Sequence, residues 1–130
     1  MNNFNHFPEV VTNFGELKII KIYVFYDRPV LFYCTSNFLS SKYGVNYRLL
    51  ILLVDEDEVS ESFLMAIINE SEIKASERKE VSIKKLFAIC AWVVFKYTFF
   101  YNGSPRTVHS YFDRTNIANE YLPEDDVYLS

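Results

Sequence analysis

The sequence predicts an α+β domain built on a curved antiparallel sheet of about six strands, with one or two short helices after the fourth strand. Short runs of aromatic and β-branched residues recur along the chain, and such residues suit the half-buried surface of a sheet. Short polar segments separate most of these runs, and short connections join antiparallel rather than parallel strands. A half-open barrel is an alternative arrangement of the same strands.

The first three strands are predicted at residues 16–26, 30–35 and 46–54. Lys18 and Lys21 fall on opposite faces of an ideal first strand, so we expect one end of that strand to be exposed. Residues 36–44 are mostly polar and are predicted as a loop. The third strand is apolar on both faces over residues 49–54, which is typical of a central strand covered on both sides.

The segment after the acidic run at residues 55–58 leaves two interpretations open. Residues 60–69 contain an apolar run that is too short for periodicity to separate a strand from a helix, and we favour a fourth strand. Ser71 and Ser82 are then predicted as N-caps of two short helices, at residues 72–79 and 83–89.

A hairpin is predicted near the end of the chain. Its strands are residues 91–101 and 106–112, joined by Asn102-Gly103, which is the strongest turn signal in the sequence. Beyond it, we expect residues 127–129 to dock as a short extended piece.

Length and composition indicate one domain in a reducing compartment. The 130 residues suit a single domain at residues 14–130, after a loosely held lead-in at residues 1–13. Cys34 and Cys90 lie in apolar runs, and no leader sequence is legible, so we expect a cytoplasmic protein. The apolar run at residues 86–101 is too short for a membrane helix. The net charge of −4 disfavours nucleic acid as a partner.

Four segments together resemble an uncharacterised family of small bacterial domains. They are YDRPVLFYC at residues 26–34, LLILLVDEDE at 49–58, VSIKKLF at 81–87 and EYLPEDDVYL at 120–129. Arg28 stands where the family usually has a glycine, which alters that turn. The resemblance covers residues 14–129, implies a strand-rich domain and supports residues 63–68 as a strand that forms a hairpin with the third strand. It implies no activity, and therefore no catalytic residue.

Candidate chemistry is sparse, and no cofactor or metal is predicted. Three glycines provide no phosphate-binding loop. The acidic run at residues 55–58, with Asp125 and Asp126 as further ligands, is interpreted as a solvated turn rather than a metal site. Tyr26, Asp27 and Arg28 form a candidate binding corner, although turn formation is the favoured interpretation of Asp27.

The surplus of aromatic residues is the main indication of function. The candidate binding residues of the last hairpin are Tyr97, Tyr101, His109 and Tyr111. Tyrosine is enriched at protein interfaces because its ring is apolar and its hydroxyl is polar. We therefore predict a non-enzymatic interaction domain, with a heteromeric partner or a second copy as its ligand. An immunity protein, an antitoxin or an accessory subunit of an anti-phage defence system would fit this size and charge.

An alternative is a small-molecule or nucleotide-binding domain, weakly hydrolytic at most. Its cleft would lie between the sheet and the short helices and would use Tyr26, Asp27, Arg28 and His109. This alternative predicts a concave apolar pocket with converging polar groups.

Overall fold

The sheet follows the order of the chain. The structure is a computed structural model that describes residues 17–25, 29–90, 94–100, 107–112, 123–124 and 126–129, with parts of the last two strands described by their backbone alone. The strands are β1 (Lys18–Phe25), β2 (Pro29–Thr35), β3 (Tyr47–Glu56), β4 (Ser60–Asn69), β5 (Val94–Phe100) and β6 (Thr107–Phe112). Each pairs antiparallel with the next, in the order β1-β2-β3-β4-β5-β6.

The predicted α+β class and antiparallel sheet are confirmed. Strands β1 to β4 form an open sheet with β1 at one end of the strand order, rather than the alternative half-open barrel. Strands β5 and β6 continue the strand order, but the residues that join and flank them lie outside the described ranges. The finer prediction of one curved sheet of about six strands therefore stays a prediction. Residues 60–69 form a strand, β4, which settles the choice that the short apolar run left open.

Alternating side chains build one hydrophobic core on each face of the sheet. The first face buries Phe32, Cys34, Leu49, Ile51, Phe63, Met65 and Ile67. The second face buries Leu31, Tyr33, Leu50, Leu64, Ala66 and Ile68. Burial of a side chain of this size contributes about 1.5–3 kcal/mol. The two cores therefore hold β2, β3 and β4 in one register, because a shift by one residue would exchange the two faces.

A helix, α1 (Asn37–Tyr43), occupies most of the segment predicted as a polar loop, and this prediction was wrong. The Ser36 hydroxyl caps the helix by accepting a hydrogen bond from the Leu39 backbone N–H at 2.9 Å. Leu39 is fully buried in the core of the first face. Because so short a helix buries few residues, the segment shows no helical hydrophobic period.

Two further helices, α2 (Glu70–Glu77) and α3 (Ile83–Ile89), cover the second face through Ile73, Ile83, Leu86 and Phe87. With α1 on the first face, helices lie on both sides of the sheet. Ser82 caps α3 as predicted, accepting from the Lys85 backbone N–H at 3.0 Å.

The N-cap predicted for α2 was wrong by two residues. Asn69 caps this helix, and its side chain accepts a hydrogen bond from the Ser71 backbone N–H at 2.9 Å. Arg78 is the C-cap of the helix, and Lys79 after it has a φ of 63°. The backbone N–H groups of Lys79 and Glu80 donate to the carbonyls of Ser76 and Ala75. This is the Schellman arrangement, in which glycine is the usual residue at the position of Lys79.

The end of the chain docks against α2 and α3, as predicted. The carbonyl of Val127 accepts from the Ile83 backbone N–H at 2.9 Å. The backbone N–H of Leu129 donates to the Ser76 hydroxyl at 3.1 Å, and the Leu129 side chain is fully buried. None of the helices in the described ranges has the length and apolar character needed to cross a membrane.

Candidate interaction surface

Most of the predicted binding residues fall in segments that the structure does not describe. Tyr26, Asp27, Arg28 and Tyr101 lie outside the described residues. Tyr97, His109 and Tyr111 belong to β5 and β6, whose backbones are described. Tyr97 is the cross-strand partner of His109, so the sheet brings these two predicted residues together in register. Tyr111 pairs with Phe95 on the same hairpin.

The acidic run at residues 55–58 ends β3 and begins the turn to β4. One carboxylate oxygen of Asp57 accepts hydrogen bonds from the backbone N–H groups of Val59 and Ser60, both at 2.8 Å. These bonds lower the pKa of the Asp57 carboxyl below its ordinary value. Within the described ranges, no cluster of three or more acidic, cysteine or histidine side chains is arranged to hold a metal ion. Asp57 is therefore accounted for by turn formation.

A groove of about 130 Å³ opens where β3, β4 and α3 come together. It is lined by Tyr47, Ile67, Ile68, Asn69, Glu72, Ile89 and Cys90. Small-molecule sites usually enclose roughly 300–1,000 Å³, so this groove is small for a nucleotide. It lies between the sheet and the helices, where the alternative function places its cleft, but it contains none of the residues predicted to line that cleft.

The edge of β1 exposes both apolar and basic side chains. Ile20 and Phe25 are 44% and 49% exposed. Lys18, which precedes Ile20, and Lys21, which lies between Ile20 and Phe25, are exposed as well. Among the described residues, β1 pairs only with β2, so its outer side is an edge of the sheet. We call Lys18, Ile20, Lys21 and Phe25 the β1 edge surface. An edge strand with exposed apolar side chains is a site where another strand can add.

The two lysines of this surface lie on the same face of the sheet, and the prediction that they lie on opposite faces was wrong. Lys18 pairs with Thr35, whereas Lys21 pairs with Tyr33, because the register shifts between Ile19 and Lys21. A strand bulge adds one residue and so reverses the alternation beyond it. The partners are two residues apart, which places the lysines about 7 Å apart along the sheet. Both therefore lie on the second face.

Glu77, at the end of α2, fastens that helix to β1. Its carboxylate accepts a hydrogen bond from the Tyr23 hydroxyl. The same carboxylate oxygen forms an ion pair with Lys21 Nζ at 3.0 Å. Lys74 Nζ lies 3.5 Å from the other carboxylate oxygen. Tyr23 in turn stacks on the buried Tyr33, with ring centroids 6.1 Å apart. The β1 edge is thus held against both α2 and β2.

The surroundings of this contact shift two pKa values in opposite directions. Burial alone would raise the pKa of the Glu77 carboxyl, but hydrogen bonds from Tyr23 and Lys21 outweigh it, and the net shift is downward. Burial, followed by the hydrogen bond to Glu77, raises the pKa of the Tyr23 phenol. At neutral pH the pair is therefore a neutral phenol donating to an ionised carboxylate. The Tyr23–Glu77 hydrogen bond is therefore interpreted as a structural contact.

The β1 edge surface was not among the predicted binding residues. The one sequence feature that pointed to this surface was the interrupted polar–apolar alternation at Lys18 and Lys21. The role of Glu77 could not be read from the sequence, because Glu77 lies fifty-six positions from Lys21 and is followed by three more charged residues, Arg78, Lys79 and Glu80.

Fold and surface together define an α+β domain with an antiparallel sheet between helices and an exposed basic and apolar edge. The chain belongs to the family of unknown function DUF6575, which it matches over residues 5–129. The resemblance to an uncharacterised family is thereby confirmed. Searches of the curated proteins and of the solved structures gave no match.

Proposed function

We propose that this chain is a non-enzymatic domain that binds another protein through the edge of its sheet at β1. The observation that carries the proposal is the exposure of Ile20 and Phe25 on an edge strand. Both side chains would gain hydrophobic free energy by leaving water, at roughly 25 cal/mol for each Å² buried. A partner protein can cover such an edge by adding an extended strand to it.

The contacts behind the edge support the same proposal. Glu77 fastens Lys21 and Tyr23 to α2, and the stacked pair of Tyr23 and Tyr33 packs against the core of the second face. A strand held in this way loses little freedom on binding, which reduces the entropic cost of association. The hairpin of Tyr97, His109 and Tyr111 at the opposite edge remains a second proposed contact region. This proposal takes β5 and β6 as the outer strands of a sheet of about six.

The alternative, a small-molecule or nucleotide-binding domain, has less support. The groove beside Asn69 is lined mainly by Ile67, Ile68, Ile89 and Cys90, and its volume is below the usual range for such ligands. An immunity protein, an antitoxin or an accessory subunit of a defence system remains the predicted setting, in the cytoplasm.

The test is co-expression of the chain with each product of the genes that flank it, followed by size-exclusion chromatography with light scattering. We expect one of these mixtures to give a complex of defined stoichiometry. Ile20→Ser with Phe25→Ser should weaken that complex by at least about tenfold, since each large apolar contact contributes on the order of 1 kcal/mol or more. Val59→Ser, at the exposed β3–β4 turn, is the matched control. If every mixture yields only the separate proteins, the proposed function is wrong.

A further inference from the structure

We propose that the β1 edge surface binds an extended acidic segment of a different protein, which adds to the sheet as a strand beside β1. This inference rests on the proposed function and names the chemistry of the partner. The unpaired backbone of an edge strand provides hydrogen bonds to any extended chain, whereas the side chains of that edge decide which chain is accepted.

The charges at this edge favour carboxylates. Lys18 and Lys21 lie on one face because of the bulge at Ile20, and Lys74 reaches the same place from α2. Lys21 and Lys74 both contact the one carboxylate of Glu77, and Lys18 adds a third positive charge to the same face. The whole chain carries a net charge of −4, so the edge is a basic site on an acidic molecule. A partner with acidic side chains on that face would be attracted to it.

The same lysines disfavour a second copy of this chain as the occupant. Two β1 strands paired edge to edge would bring Lys18 and Lys21 of both copies onto one joined sheet, and like charges on paired strands are destabilising. Edge lysines and bulges are also the features that prevent edges from pairing with themselves. A heteromeric acidic strand turns this repulsion into attraction, because its carboxylates would lie beside the lysines.

The apolar side chains define the remainder of the pattern. Ile20 is turned out by the bulge, and Phe25 is exposed at the end of the strand. Since side chains of a strand alternate between faces, the added segment should carry acidic residues on one face and apolar residues near Ile20 and Phe25. An alternating acidic and apolar sequence is the expected ligand.

The experiment selects short random peptides displayed on phage against the immobilised full-length chain. We expect the selected peptides to be enriched in aspartate and glutamate at alternate positions. Their affinity should fall at least about tenfold on Lys18→Glu, which reverses a charge without touching the Glu77 contact, and should fall as salt is added. Lys85→Glu, an exposed lysine on α3, is the matched control and should leave affinity unchanged.

Strand addition is tested separately with N-methylated forms of a selected peptide. Methylating one alternate set of backbone nitrogens should abolish binding, and methylating the other set should preserve it, because only one side of the added strand pairs with β1. The inference is overturned if no peptide is selected, if the peptides lack acidic enrichment, if Lys18→Glu has no effect, or if both methylated sets bind. A complex with a flanking gene product that tolerates Lys18→Glu would overturn this inference and leave the proposed function standing.

Discussion

Replacing Glu77 by glutamine removes the charge that fastens α2 to β1. Hydrogen bonds to a charged group contribute about 1.5–3 kcal/mol, and the Tyr23 contact falls at the lower end, because the Glu77 side chain is 18% exposed. Lys21 and Lys74 are about half exposed, so each adds at most about 0.5 kcal/mol after screening. Glutamine keeps an acceptor, and we therefore expect Glu77→Gln to lower the free energy of unfolding by about 1–2 kcal/mol.

The assay is urea unfolding of the wild type, Glu77→Gln, Tyr23→Phe and the double variant, followed by circular dichroism. If the hydroxyl and the carboxylate interact as described, the double variant should be more stable than the sum of the single changes predicts, by about 1 kcal/mol. Two changes that simply add would refute the reasoning, because they would show that Tyr23 and Glu77 contribute independently.

The pH dependence of the same series has a defined sign. Because the pKa of Glu77 is lowered in the folded chain, its contribution is present above the ordinary value near 4.5 and is lost as the pH falls through the folded value. The pKa of Tyr23 is raised, so its contribution is present below the ordinary value of 10.0 and is lost as the pH rises further. The advantage of the wild type over Glu77→Gln should therefore disappear in acid. An advantage that persists at low pH would contradict this assignment.

Five further substitutions test the packing and the helix ends. Leu129→Ala should destabilise the domain by about 2–4 kcal/mol in urea unfolding, as deletion of a fully buried leucine does; a loss below about 1 kcal/mol would mean that the end of the chain is not docked. Asn69→Ala and Ser82→Ala should each cost about 1 kcal/mol, whereas Ser71→Ala should cost clearly less; equal losses at Asn69 and Ser71 would contradict the assigned cap. Lys79→Gly should raise the urea midpoint, because glycine adopts a positive φ without strain; a lower midpoint would contradict the backbone assigned there.

The sequence predicted the elements whose side-chain pattern is local. The central strand β3, the cap at Ser82 and the docked piece at residues 127–129 each follow from a short run of residues. The helix α1 could not be predicted in this way, because its buried contact depends on Leu39 meeting the core of a distant sheet. The cap lies at Asn69 rather than Ser71 because β4 runs to Asn69 and the helix begins at the next residue.

The binding surface was harder to predict for a physical reason. Strict alternation separates Lys18 and Lys21, and a single bulge brings them to one face, but nothing in the local sequence marks a bulge in an apolar strand without glycine. The contact of Glu77 with Lys21 joins residues far apart in sequence. Predictions at Tyr26, Asp27, Arg28 and Tyr101 lie outside the described residues and stay predictions.

Amide hydrogen exchange on β1 is the most direct test of the central claim that the β1 edge is the binding surface. Exchange is followed in the free chain and in its complex with a flanking gene product or a selected acidic peptide. We predict that exchange slows in β1, because a pairing strand covers the outward N–H groups of the edge, while the β3–β4 turn at Asp57 is unchanged. A complex that forms without slowing exchange anywhere in β1 would contradict the account.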